Sequence, residues 1–323
     1  MGVYRFTDVP FKRLICFFVK PCIAIGVLFF VYHNVSIQDI GLKMQGLHSF
    51  LILFFALLFT NTLLSALKWQ MLLGADGIKA GFGRLFSSYM IGTFISLFMP
   101  SNIGGDTYRI ASVGKRTMTK SMASVMADRL SGFIALASIC VFFACIKFST
   151  AGKDVYVILP GILLTVLLGI VCSLFWPSLM QRALSTLGLS RFRKLESAFN
   201  ALVLSFSMYK RKPVILTATM VLSYLFQLNV IVSVYILSKS LGLQVPFIAF
   251  CFFVPIISIL EAIPVSIYGI GLRDTGYLLF FTQAGMENPE AHALAMAMLY
   301  VSASIVYAST GGLFLVKRLI FKA

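Results

Sequence analysis

About six runs of roughly twenty apolar residues punctuate this chain, over 14–35, 50–69, 124–146, 155–176, 214–238 and 293–316. Runs of that length predict helices that cross a bilayer, because a helix satisfies its own backbone hydrogen bonds where no water is present. Two further apolar runs are shorter or broken, 85–99, and 247–263 followed by 275–284. Each breaks at a proline, passes through closely spaced glycines and meets charges. The first reads Met99-Pro100-Ser101-Asn102-Ile103-Gly104-Gly105-Asp106-Thr107-Tyr108-Arg109, the second Ile263-Pro264-Val265-Ser266-Ile267-Tyr268-Gly269-Ile270-Gly271-Leu272-Arg273-Asp274. Irregular backbone at membrane depth is tolerated only where it is buried in protein or lines a polar cavity. Two such breaks, in corresponding positions of two halves, point to a transport site.

Apolar residues make up 59% of the 323 and charged residues 12%, against about 25% charged in soluble domains. No polar stretch is long enough to fold alone; the longest, 178–213, reads as an amphipathic connector. The formal net charge of +16 raises the question of nucleic acid, but the bases flank apolar spans instead of forming a soluble patch, and no nucleic-acid partner is expected. Cys16, Cys22, Cys140, Cys145, Cys172 and Cys251 lie in or beside apolar runs without a C-x-x-C pair, and His33, His48 and His292 are scattered. Neither disulfides nor a metal site is expected, nor any cofactor. There is no G-x-x-x-x-G-K-[ST], H-E-x-x-H or G-x-S-x-G, so no chemistry of the P-loop, zinc-protease or serine-hydrolase kind.

Charge bias sets the expected topology. Arg5, Lys12 and Arg13 place the N-terminus in the cytoplasm, ahead of a first run that reads as a retained anchor. The second run then returns to Lys68, Lys79 and Arg84. Were 85–99 to cross, Lys115, Arg116 and Lys120 would lie outside; a re-entrant hairpin over 85–114 keeps them in. Arg182, Arg191, Arg193, Lys194, Lys210, Arg211 and Lys212 are cytoplasmic, and so is the C-terminus with Lys317, Arg318 and Lys322. The segment 247–284 therefore starts and ends outside, as a second hairpin. Lys43, Lys147, Lys153, Lys239 and Arg273 depart from the bias. The expected fold is an all-α integral membrane protein, one polytopic domain with about six transmembrane helices and two hairpins. Repeats at 14–146 and 155–316 run in opposite orientations, an inverted repeat.

Charges expected at depth are Asp106, Arg109, Asp128, Arg129, Glu261, Arg273 and Asp274. Each costs at least ~2.5–3.5 kcal/mol at a helix centre, so each needs a reason. Gly104 and Gly105 let the backbone turn close to a ligand. A helix starting near Asp106 would aim free N–H groups at the hairpin tip, with Arg109 a turn beyond to grip a phosphate. Gly269, Gly271 and Arg273 repeat the kit. Asp106 also suits a helix cap, and Asp128 with Arg129 a structural ion pair. Glu261 has no charged neighbour within about ten residues of its apolar run, and must find Arg109, Arg129, Arg273 or water, or stay protonated.

Lys68-Trp69-Gln70-Met71-Leu72-Leu73, Met99-Pro100 with Gly104-Gly105-Asp106 and Arg109, and Ala127-Asp128-Arg129-Leu130-Ser131-Gly132 resemble the membrane domain of lysylphosphatidylglycerol synthases/flippases. Pro264 with Gly269-Ile270-Gly271-Leu272-Arg273-Asp274, and Gly311-Gly312-Leu313, fit the same pattern. The resemblance implies a unit that moves an anionic or aminoacylated lipid between leaflets of the bacterial inner membrane. Lys68 stands where the family commonly has Arg, and Asp274 where it usually has Glu. These 323 residues hold no stretch expected to form the soluble aminoacyl-transfer domain of the full synthases, so synthase activity is not carried over as an expectation.

The function expected is translocation of a lipid with a phosphate head group, a phospholipid or a polyprenyl-phosphate glycolipid. Arg109 and Arg273 would neutralise the phosphate from two sides, and Glu261, Asp274 and Asp128 would balance them or carry a proton. The alternative is a membrane-embedded transferase or an accessory to enzymes of lipid or glycan biosynthesis; a scaffold ranks third. A homodimer is among the arrangements the sequence allows.

Overall fold

The computed structural model describes residues 47–99, 103–114, 117–148, 155–175, 209, 212–262 and 271–320. Among these residues every regular element is a helix: α1 Leu47–Ala75, α2 Phe82–Ser96, α3 Ile103–Val113, α4 Met118–Phe148, α5 Val155–Phe175, α6 Pro213–Ser240, α7 Phe247–Ala262, α8 Leu272–Gln283 and α9 Pro289–Ile320. Four of them hold stretches long and apolar enough to cross a membrane, Ser49–Ala75, Met118–Ile146, Pro213–Ser240 and Pro289–Ile320. Helix α5 carries a shorter apolar stretch, Pro160–Gly169. The first expected span, 14–35, lies outside the described residues, as do Gly269 and most of the 178–213 connector. The long helices expose large apolar side chains such as Ile52, Phe142, Val214 and Leu313, as surfaces that face acyl chains do.

Apart from α5, the helices fall into length-matched pairs in chain order. Helices α1 and α6 have 29 and 28 residues, α2 and α7 15 and 16, α3 and α8 11 and 12, α4 and α9 31 and 32. The packing follows the same pairing. Helix α1 packs on α6; α2 packs on α3 as α7 does on α8; α2 meets α9 as α7 meets α4; α3 meets α4 as α8 meets α9.

Polar contacts fix which ends share a face. Lys212 Nζ donates to Ala75 O at 2.8 Å, Lys120 Nζ to Asp76 O at 3.1 Å and Arg84 Nη2 to Ser112 O at 2.8 Å. Arg318 Nη1 donates to Ser88 Oγ and to the Tyr108 hydroxyl. The end of α1, the open base of α2 and α3, the starts of α4 and α6 and the end of α9 thus lie together. Helix α1 consequently runs opposite to α6, and α4 opposite to α9. At this face Tyr209 donates to Asp76 at 2.7 Å, and burial pushes both the Asp76 carboxyl and the Tyr209 phenol up from their ordinary pKa values.

Lipid tails are as apolar as leucine, so close fit holds such a bundle together more than water exclusion does. The largest core cluster joins Phe54 of α1, Ile231 of α6, Phe250 of α7, Phe280 of α8 and Met296 of α9. Phe280 stacks on Phe253 with ring centroids 4.4 Å apart and meets Phe250 edge-on at 5.0 Å, pairs worth about 0.5–1.5 kcal/mol each. Glycine serves the closest crossing: a Cβ on Gly311 of α9 would sit 2.0 Å from Met90 O of α2.

Candidate functional site

The return arm of the first hairpin begins earlier than the sequence reading expected. Gly104 and Gly105 lie in the first turn of α3, not in a loop before Asp106. A Cβ on Gly105 would meet Gly92 O and Ser96 Oγ, both at 2.6 Å, so the two arms touch there backbone to backbone. The Gly105 N–H donates to Ser96 Oγ at 3.2 Å. That amide is therefore spent inside the hairpin and is not one of the free donors expected at its tip.

This crossing carries Asp106 and Arg109 toward α4. Arg109 is 2% exposed. Its guanidinium lies 4.0 Å from the Tyr89 ring centroid and 4.6 Å from that of Trp69, cation–π contacts that gain strength out of water. Arg109 Nη1 donates to Asp106 Oδ1 at 3.1 Å and Nη2 to Asp128 Oδ2 at 2.9 Å. Asp128 Oδ1 takes Lys68 Nζ at 2.7 Å, and Lys68 also donates to Ser223 Oγ of α6 at 3.0 Å. Arg129 Nε and Nη2 both donate to Asp106 Oδ2 at 2.8 Å. Lys68, Arg109 and Arg129 face Asp106 and Asp128, three cations against two carboxylates. Among the described residues the cluster keeps one positive charge in excess, and the Arg129 side chain, 40% exposed, is the most accessible of its cations.

A cavity of about 260 Å³ opens beside this cluster, at mid-height of the long helices. Gly105, Asp106, Arg109 and Arg129 line it, together with Asn61, Thr62 and Ser65 of α1 and Tyr300, Ser304 and Tyr307 of α9. Tyr307 and Thr62 hydroxyls pair across it at 2.6 Å. Two buried atoms of lining residues, Asn61 Oδ1 and Arg109 Nε, have no hydrogen-bond partner among the described residues.

The second hairpin is arranged differently. Arg273 Nε donates to Glu261 Oε1, and the guanidinium lies 4.3 Å from the Tyr300 ring centroid. Asp274 accepts the Gly271 N–H at 2.9 Å and closes the first turn of α8, where Gly271 has φ 88°. That backbone angle suits glycine. Glu261 thus meets Arg273, one of the partners its isolation in sequence demanded. Tyr300 lines the cavity and also contacts Arg273, whereas Arg109 lines the cavity and Arg273 does not.

The sequence reading did not single out Lys68, Trp69 and Tyr89 as site residues, nor the walls of the cavity. Their signal is the spacing of polar groups inside apolar spans: Asn61, Thr62 and Ser65 share one face of α1, and Tyr300, Ser304 and Tyr307 recur at helical intervals on α9. Among the described residues no group of three His, Cys, Asp or Glu side chains could hold a metal ion.

No curated protein and no solved structure matches the chain. A family model described as the lysylphosphatidylglycerol synthase TM region matches residues 17–309, nearly the whole chain, including both hairpins, the ion cluster and the cavity walls. The chain is a multi-pass helical membrane protein that belongs to the lysylphosphatidylglycerol synthase transmembrane-region family.

Proposed function

We propose that this protein moves a lipid with a singly charged phosphate head group between the leaflets of a membrane. The observation that carries the reading is the excess positive charge that the described residues leave beside a half-open cavity with polar groups on its walls. An excess cation in a partly dehydrated site favours an anionic partner, and a phosphodiester entering the cavity would balance it. Arg129 and Arg109 would hold the phosphate, with Asp128 and Lys68 keeping Arg109 in place from behind. The acyl chains would remain in the surrounding lipid. The family supports a role with membrane lipids in general.

Matched helix lengths, reciprocal packing and opposed directions support an inverted repeat, α1–α4 against α6–α9. On this reading α2–α3 and α7–α8 are re-entrant hairpins entering from opposite faces. The face that gathers Lys79, Arg84, Lys120, Lys212 and Arg318 is the cytoplasmic one by the positive-inside rule, in a bacterial inner membrane with both termini inside. Energy would come from an ion gradient, or from enzymes of lipid or envelope-glycan synthesis that consume the delivered lipid.

The test is flipping of acyl-labelled phosphatidylglycerol in proteoliposomes, read by quenching of the outer leaflet. Arg129→Gln, which removes the accessible cation, is expected to slow it by about tenfold or more. Unchanged flipping by a folded variant would remove the reading. Lipid whose mass changes during the assay would point instead to a transferase.

A further inference from the structure

Asp106 and Asp128 are both ion-paired, yet they are placed for different tasks. Asp128 has a side chain 6% exposed, lies outside the cavity lining and takes Lys68, Arg109 and the Tyr89 hydroxyl. It is a structural anchor. The Asp106 side chain is 20% exposed and lines the cavity. Its two oxygens span the two arginines there, Oδ1 to Arg109 and Oδ2 to both donors of the Arg129 fork. A phosphodiester offers two non-bridging oxygens in much the same arrangement and competes for the same guanidinium donors.

Resting on the reading of the site as a lipid-phosphate cavity, we infer that Asp106 is an internal counter-ion standing where the phosphodiester binds, and that the lipid enters by displacing it. With Asp106 in place the arginine pair is partly neutralised and the empty protein avoids a bare doubly positive cluster. When the phosphate takes over Arg129, the carboxylate swings free. Asp106 lies one residue past the Gly105 crossing, so its release loosens the tip of the first hairpin at the moment the site fills. Binding is then weaker than the arginines alone would give, because part of their affinity is spent on evicting the carboxylate. That weakness suits a carrier that must let its cargo go.

The inference makes an unusual prediction: neutralising a residue inside the binding machinery tightens binding. Trp69, in contact with Arg109, reports on the site once Trp176, the second of the two tryptophans, is replaced in a Trp176→Phe background. The probes are short-chain phosphatidylglycerol and inorganic phosphate, titrated against the purified full-length chain. Asp106→Asn and Asp106→Ala should each bind the lipid about tenfold tighter than the parent and release it more slowly. Adding Arg129→Gln should abolish the gain. In the unsubstituted chain, carbodiimide labelling of Asp106, read by peptide mass spectrometry, should rise as lipid saturates the site.

Lipid binding that is unchanged or weaker in the folded neutral variants, or labelling that falls or stays constant in the parent, overturns the counter-ion role and leaves the translocation reading standing. If inorganic phosphate gains affinity and the lipid does not, Asp106 is a counter-ion for a free anion and the lipid reading fails. If neither probe binds parent or variants, both fall.

Discussion

The two hairpins share a design and differ in charge. Both pair a 15- or 16-residue arm with an 11- or 12-residue return arm, and both bury an arginine beside an aromatic ring from a neighbouring helix. In the first, Arg109 belongs to a five-charge cluster with one cation in excess, open to a cavity. In the second, Arg273 and Glu261 pair with each other, and Asp274 is spent on the first turn of α8. One scaffold therefore serves two ends. Net charge facing a void can recruit a ligand, whereas a carboxylate–guanidinium pair of balanced charge mainly orders the tip that carries it. The Tyr300 ring lies against Arg273 and also lines the cavity beside the first cluster.

Substitutions sharpen this contrast. Arg109→Ala should be the most damaging, since it removes the buried guanidinium that joins Asp106 to Asp128 and packs on Tyr89 and Trp69; about 3–5 kcal/mol is the usual cost of breaking a buried pair. Loss of a cooperative thermal transition or of a monodisperse gel-filtration peak would record it, and a stable, folded variant would mean that water reaches the cluster freely. Glu261→Leu should cost nearly as much, about 3 kcal/mol, by removing the carboxylate to which Arg273 donates. The double change Glu261→Leu with Arg273→Leu should recover much of that loss, because a closed pair can be exchanged for apolar side chains. The matching neutral exchange at the first hairpin, Asp106→Leu with Arg129→Leu, should fold yet fail to transport. Should the second-hairpin double variant also lose flipping in proteoliposomes, the pair acts on the cargo as well as on the tip.

Gly105→Ala should cost about 1–3 kcal/mol, through overlap with Gly92 O and Ser96 Oγ. Its mark would be a lowered melting temperature with transport lost in step. Gly276→Ala on the second hairpin meets only the Ile257 side chain, at 2.7 Å. A side chain yields more readily than backbone, and the melting temperature should fall less. The smallest effect expected is that of Tyr300→Phe, which keeps the ring over Arg273 and removes only its hydroxyl. Stability should change by less than about 1 kcal/mol, and any slowing of flipping would then report the cavity side of the ring.

The residues explain how far a reading of the chain could reach. Lengths and ends of the apolar runs follow from local physics, and α7 Phe247–Ala262 and α8 Leu272–Gln283 form on the two apolar runs 247–263 and 275–284. The first hairpin was expected over 85–114 and begins at Phe82, since the arm extends past its apolar residues to Gly81, where the chain is extended. Glycines at 104 and 105 suggest a loop by propensity alone. They lie in a helix packed against the opposite arm, where Gly92 and Ser96 come too close to Gly105 for any side chain, contacts between residues nine and thirteen positions apart.

The sequence alone established the membrane environment, the all-helical build, the two breaks and the set of charges that lipid would not tolerate without partners. Each of these depends on a residue and its near neighbours, through backbone hydrogen bonding and the cost of burying charge. Which charge meets which was settled by packing. Lys68, Arg109, Asp128 and Arg129 come from three helices, and Asn61 and Tyr300, on two walls of the cavity, stand far apart in the chain. Ion pairing acts over a few ångströms in space and is indifferent to separation along the chain, so one cluster became an open cationic site and the other a closed pair.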